Sequence, residues 1–295
     1  MTTTADKTPF RILVAGFGRV SHVQPRDLPN PAFEIIKRLP PQLAPPCTTN
    51  NSYNRSHPSA DAIEIIAHPD PLPSSYHGLL QTVPALVREH ADTVDLILLI
   101  GVAVGQQYYS VEQSAGRDGY HEVPDLDRRT LAKGEGVKVW GRKSRERLAT
   151  SVDLEAAVEG WREWLAATSF HVDYLTGKNK TTSSVIKGER PPTATGQQQQ
   201  LWPPEVRHTD DIGKYVCGLV YYTALAELRR IAEERAAEAS KTKMTGKENA
   251  NGSVEGNAVF LHVPLLLGEE QLEVGYRVVV ALIRALGMVV PFNGS

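Results

Sequence analysis

Cysteine is nearly absent: the 295 residues hold two, Cys47 and Cys217. A disulfide framework would need more, in a smaller secreted chain. No Cys-x-x-Cys or paired Cys/His spacing offers a zinc site. No apolar run approaches the ~20 residues of a membrane span, and Met1 to Lys7 lacks the apolar stretch of a signal peptide. An excess of one charge is also missing. The 32 Lys and Arg against 34 Asp and Glu leave a formal net charge of −2, without the clustered cations that grip nucleic acid. The expectation is a cytoplasmic protein with no membrane or nucleic-acid partner, no metal and no cofactor. Oligomeric state stays open.

What the chain does contain is an ordinary globular balance, 41% hydrophobic and 22% charged, enough for one sizeable core. Arg11 to Ala15, ended by Gly16, reads as a strand apolar on both faces. Ala62 to Ile66, Leu96 to Ile100 stopped by Gly101, and Ala258 to Leu261 bounded by Pro264 read likewise. Helical spacing marks Leu79, Leu80, Val83, Leu86 and Val87, with Pro84 inside predicting a kink or a late start. It also marks Leu154 to Leu165, with Asp153 as N-cap, then Val220 to Ala232, and a last, more apolar helix from Leu272 to Leu286. This alternation argues an α/β fold: three layers, α/β/α, around a mixed, mainly parallel central sheet in a single domain, 1–295. Stretches near 39–59, 177–200 and 239–256 are polar or rich in Pro, Asn and Ser, and read as mobile surface insertions.

Gly16-Phe17-Gly18-Arg19-Val20-Ser21 has the start of a dinucleotide fingerprint. Ser21 replaces the third glycine, and Pro25, Pro29 and Pro31 break the helix that should meet a pyrophosphate. A tight turn after a strand, or a loop whose Phe17 lines a pocket, fits the residues better.

Four segments in order resemble the pyroglutamyl-peptidase I family. They are Val14-Ala15-Gly16-Phe17-Gly18 with Asn30-Pro31; Asp95 to Ala103 with Gly105 and Ser110-Val111-Glu112; Thr209-Asp210-Asp211-Ile212-Gly213-Lys214-Tyr215-Val216-Cys217; and Phe260-Leu261-His262-Val263-Pro264. The third is the most specific. Gly116 and Gly119-Tyr120 are similar to the family's eukaryotic branch. The resemblance covers most of the chain outside the polar insertions. It implies a cysteine peptidase that removes an N-terminal pyroglutamyl residue from a blocked peptide. It further implies Glu112, Cys217 and His262 as the catalytic set, and Phe17 and Tyr215 as aromatic walls for the lactam ring.

The residues support that chemistry on their own terms. A cysteine peptidase needs a thiolate, a base and a group that orients the base. Cys217 stands where an apolar-periodic helix begins, and a helix N-terminus favours an anion; the plainer reading is a small cysteine packed under that helix. His262 lies at the C-terminal end of a strand, the edge where sites gather in α/β sheets, although a core histidine with a backbone partner would look the same. Glu112 could fix the imidazole tautomer, whereas most lone glutamates are solvated. His22, His57 and His121 fall in predicted loops without a motif. Val20, Glu122 and Gly218 depart from the family pattern, and they motivate the alternative of a catalytically altered binding protein on the same fold.

Overall fold

A computed structural model of the chain describes residues 9–18, 29–44, 62–167, 203–243 and 257–291. The parts of the three polar stretches at 45–59, 177–200 and 244–256, together with Cys47, Val20, His22 and His57, lie outside the described residues.

Seven strands form one sheet in the order β2 (Gln42–Leu43), β3 (Ile63–Ala67), β1 (Phe10–Gly16), β4 (Leu96–Ala103), β9 (Ala258–Pro264), β5 (Tyr109–Glu112) and β8 (Val206–Thr209). The β3-β1-β4-β9 run is parallel, and β5 and β8 are parallel to each other. The pairs β2–β3 and β5–β9 are antiparallel. A separate antiparallel pair joins β6 (Ser114–Gly116) to β7 (Arg147–Ala149). The mixed, mainly parallel sheet read from the sequence is the one found.

Successive side chains leave a strand on opposite faces, and here both faces are covered. Ile12, Val14, Leu96, Leu98, Ile100, Val259, Leu261 and Val263 join a core with α1 (Pro31–Ile36), α4 (Leu154–Ala167) and α6 (Glu269–Val289). Leu13, Ala15, Ile97, Leu99, Ala258 and Phe260 join a second core with α2 (Tyr76–His90) and α5 (Val216–Lys243). A short α3 (Val137–Trp140) lies near α5. Among the described residues no helix is long and apolar enough to cross a membrane.

Local signals set two of the helix starts. Asn30 caps α1 by accepting from the Ala32 N–H at 2.9 Å, with Pro31 in the first turn, where its missing donor costs nothing. Asp153 caps α4 through the Ala156 N–H at 3.0 Å, as its position predicts. Pro84 neither delays nor ends α2, which runs from Tyr76 through it. The buried stripe of Leu79, Leu80, Val83, Leu86 and Val87 outweighs the ~3 kcal/mol that an interior proline costs.

Three sequence boundaries shift. Gln42–Leu43 forms β2 against β3, with Leu39 and Leu43 buried, so the start of the 39–59 stretch belongs to the sheet. The stretch near 239–256 begins inside α5, which continues to Lys243. Nor does Gly101 end its strand, since β4 continues to Ala103 with Gly101 paired to His262. A Cβ at Gly101 would come to 2.7 Å from Phe260 Cζ and 3.0 Å from Cys217 Sγ. Glycine here lets α5 approach the sheet. Gly101→Ala is expected to cost about 1–3 kcal/mol of stability through overpacking, read as a lower urea midpoint. An unchanged midpoint would contradict this account of the close approach.

Candidate active site

The site follows from strand alternation. On β9, Ala258, Phe260 and His262 face the α5 side. On β5, Tyr109 and Val111 face the other core, so Ser110 and Glu112 face α5 too. The antiparallel register sets Ser110 opposite His262 and Glu112 opposite Phe260. Glu112 and His262 are therefore diagonal neighbours on one face, within reach of long side chains. His262 Nδ1 lies 2.8 Å from Glu112 Oε1.

Glu112 is 0% exposed and His262 5%. The solvated glutamate that composition favours is excluded. Each ion buried alone would cost several kcal/mol, and a hydrogen-bonded pair offsets that cost. Burial raises the Glu112 pKa, but the hydrogen bond and charge of His262, with the Asp211 N–H, bring it below the ordinary carboxylate value. That N–H donates to Glu112 Oε2 at 3.2 Å, and the Ser110 hydroxyl donates to Oε1 at 3.2 Å.

Cys217, the second residue of α5, reaches the same imidazole from the helix. With Nδ1 committed to Glu112, Nε2 is the nitrogen left for the thiol. Burial favours the neutral ring, but hydrogen bonding and charge from Cys217 and Glu112 outweigh it and push the His262 pKa up to about 9. The arrangement favours an imidazolium paired with the Glu112 carboxylate, with the Cys217 side chain as its other partner. The edge of the Phe260 ring packs on the imidazole, centroid to centroid 4.9 Å, and restricts its rotation.

The β8–α5 loop carries the other contacts. Ser114 Oγ donates to Asp210 Oδ1 at 2.5 Å, and Arg147 donates to both. Gly213 turns the chain at φ +78° before α5. A Cβ at Gly218 would come to 2.3 Å from the Gly213 carbonyl oxygen, so the residue after Cys217 is glycine for a packing reason. Tyr221, one turn after Cys217, donates to the backbone carbonyls of Glu112 (3.0 Å) and Ala258 (3.3 Å) and ties α5 to β5 and β9. Ser110, Asp211 and Tyr221 received no role from the sequence. The first two stand inside motif segments, and Tyr221 fits the apolar stripe of its helix; only tertiary contact shows what their polar atoms do.

Phe17 and Tyr215 belong to the same apolar cluster as Cys217. Phe17 is buried and bridges to Leu72, and Tyr215 meets Tyr76 edge-on at 6.1 Å. Glycine at 16 is demanded by protein neighbours: a Cβ there would meet the Ile100 carbonyl oxygen at 2.8 Å, and one at Gly18 would meet Pro71 at 2.5 Å. That is the tight-turn reading. Glu122 is exposed, 3.5 Å from Lys214. His121 lies in a loop. Among the described residues no group of three or more His, Cys, Asp or Glu is placed to hold a metal ion.

No family model and no curated protein matches the chain. Solved structures do match its fold. The pyroglutamyl peptidase I of Bacillus amyloliquefaciens is similar over 96% of this chain and 98% of its own, with a TM-score of 0.58 at 13% identity. A mutant pyrrolidone carboxyl peptidase of P. furiosus is similar over 93% of this chain and 96% of its own (TM-score 0.53, 13% identity), and a second mutant of that Pyrococcus furiosus protein over 94% and 98% (TM-score 0.54, 14% identity). The likeness establishes the fold, an α/β architecture of the kind these peptidases have.

The buried pair links stability to pH with opposite signs. The raised His262 pKa contributes stability present in full below about 6.5 and lost as pH rises through about 9. The lowered Glu112 pKa contributes stability present above 4.5 and lost as pH falls through the folded value. The urea midpoint is expected to decline from pH 6.5 to 9, and to decline less in Glu112→Gln, whose His262 has lost its anionic partner. Parallel profiles for the two proteins would contradict the pairing.

Proposed function

We propose that this protein is a cysteine peptidase of the pyroglutamyl-peptidase I type, releasing an N-terminal pyroglutamyl residue from peptides. One observation carries the reading: Cys217, His262 and Glu112 are far apart in the chain, yet the His262 ring interacts with both the Cys217 and the Glu112 side chains. The fold likeness to solved pyroglutamyl peptidases supports the same reading.

The chemistry is acyl transfer. Cys217 Sγ attacks the carbonyl carbon of the pyroglutamyl amide, while His262 holds the thiol proton. As the tetrahedral intermediate collapses, His262 Nε2 gives that proton to the leaving amine nitrogen and the C–N bond breaks. Water then attacks the thioester, His262 takes its proton, and pyroglutamate leaves as Cys217 recovers. Glu112 accepts from Nδ1–H throughout, fixing the tautomer and stabilising the imidazolium. Phe17 and Tyr215 flank the flat, neutral lactam, a ring suited to aromatic faces and a few backbone hydrogen bonds. No cofactor or metal enters these steps.

A pyroglutamyl amide of a fluorescent amine is the direct substrate. The protein should release the fluorophore, and Cys217→Ala should lower kcat/KM by at least ~10³-fold. On the alkaline side kcat/KM should fall with an apparent pKa of about 9 as His262 loses its proton. Tight pyroglutamate binding without turnover would establish the binding-protein alternative instead. Equal activity in Cys217→Ala would remove the nucleophile assignment.

A further inference from the structure

We infer that Ser110 is a positioning residue that sets the basicity of the Glu112–His262 pair, an inference that rests on the proposed peptidase reading for its kinetic consequences only. Ser110 is 0% exposed and faces the site from the strand position directly opposite His262. Its hydroxyl donates to Glu112 Oε1 at 3.2 Å, and His262 Nδ1 lies 2.8 Å from that same oxygen. The two donors share one acceptor, and every proton drawn onto Oε1 by Ser110 reduces what that oxygen offers the imidazole. Glu112 Oε2 is occupied separately by the Asp211 N–H.

The groups facing this pair come from four elements and one loop. They are Cys217 and Tyr221 from α5, Thr209 from β8, Ser110 beside Glu112 on β5, Phe260 beside His262 on β9, and Asp211 from the β8–α5 loop, whose Asp210 acts on Tyr221. Ser110 is a neutral side chain that donates to the oxygen facing His262, and the Thr209 side chain also hydrogen-bonds the carboxylate. Without its hydroxyl, Oε1 becomes a stronger acceptor for Nδ1–H. The imidazolium is then held more tightly and surrenders its proton to the leaving amine less readily. Ser110 thus keeps His262 from becoming too weak an acid for its step, within the limits set by burial and by Cys217.

The test compares Ser110→Val with Ser110→Thr, which have nearly the same shape and differ in the hydroxyl; Ser110→Ala is a third variant with no added bulk. The first readout is the His262 ring titration by NMR, which needs no substrate. The second is kcat and KM on the fluorogenic pyroglutamyl amide. Ser110→Val and Ser110→Ala should move the His262 midpoint upward and lower kcat about fivefold, the size of one ordinary hydrogen bond, with KM within about twofold. Ser110→Thr should restore the midpoint and kcat. Tyr221→Phe removes a buried hydroxyl that meets the Glu112 and Ala258 carbonyls and the Thr150 side chain but not the Glu112 carboxylate or the imidazole, so it should lower the urea midpoint and leave the His262 titration in place. A moved midpoint in a protein without turnover upholds the role of Ser110 and counts against the proposed reaction alone. An unmoved midpoint in folded Ser110→Val and Ser110→Ala overturns the inference, as does a Thr variant that titrates like Val.

Discussion

The hydrogen bond between Glu112 and His262 is the constraint around which the rest of the structure is arranged. A carboxylate and an imidazole sealed from water are tolerable only together, and only if their remaining polar atoms are met. The protein meets them from several directions. Ser110 and Asp211 hold the carboxylate, Cys217 faces the ring, and Phe260 stacks edge-on beside it. Tyr221 then locks the backbone that presents both groups. A pair held at this many points has little freedom to misalign.

The same pair explains the unusual choices nearby. The parallel run β1-β4-β9 supplies a rigid floor, and the antiparallel entry of β5 puts Glu112 diagonal to His262. Gly101 leaves room for α5 to bring its sulfur down to the sheet, and Gly218 lets the Gly213 carbonyl lie against the first turn. Side chains at these two positions would push Cys217 away from His262. The Ser114–Asp210–Arg147 cluster anchors the loop that leads into α5 at its solvent side.

Much of the fold is legible in the chain. The apolar runs at Arg11 to Ala15, Leu96 to Ile100 and Ala258 to Leu261 are strands because they are long enough, branched enough and covered on both faces. Asn30-Pro31 and Asp153 mark helix starts by their own hydrogen-bonding chemistry. The short strands β5, β7 and β8 left no periodic signal, since three or four residues are too few to show a period. Pro84 does not delay the helix start, because intrinsic propensity is weaker than the packing of a buried stripe.

For the site, the sequence by itself determined the residue types and their order: a carboxylate, a thiol at a helix start and an imidazole near a strand end. Their segments matched a recognisable pattern. Only the tertiary structure decided that Glu112 is buried instead of solvated, that it meets His262 across an antiparallel register, and that Ser110 shares its oxygen. Register and face are properties of strand pairs. A shift of one residue along β5 would turn Glu112 to the opposite core, and nothing within Tyr109 to Glu112 alone fixes that choice.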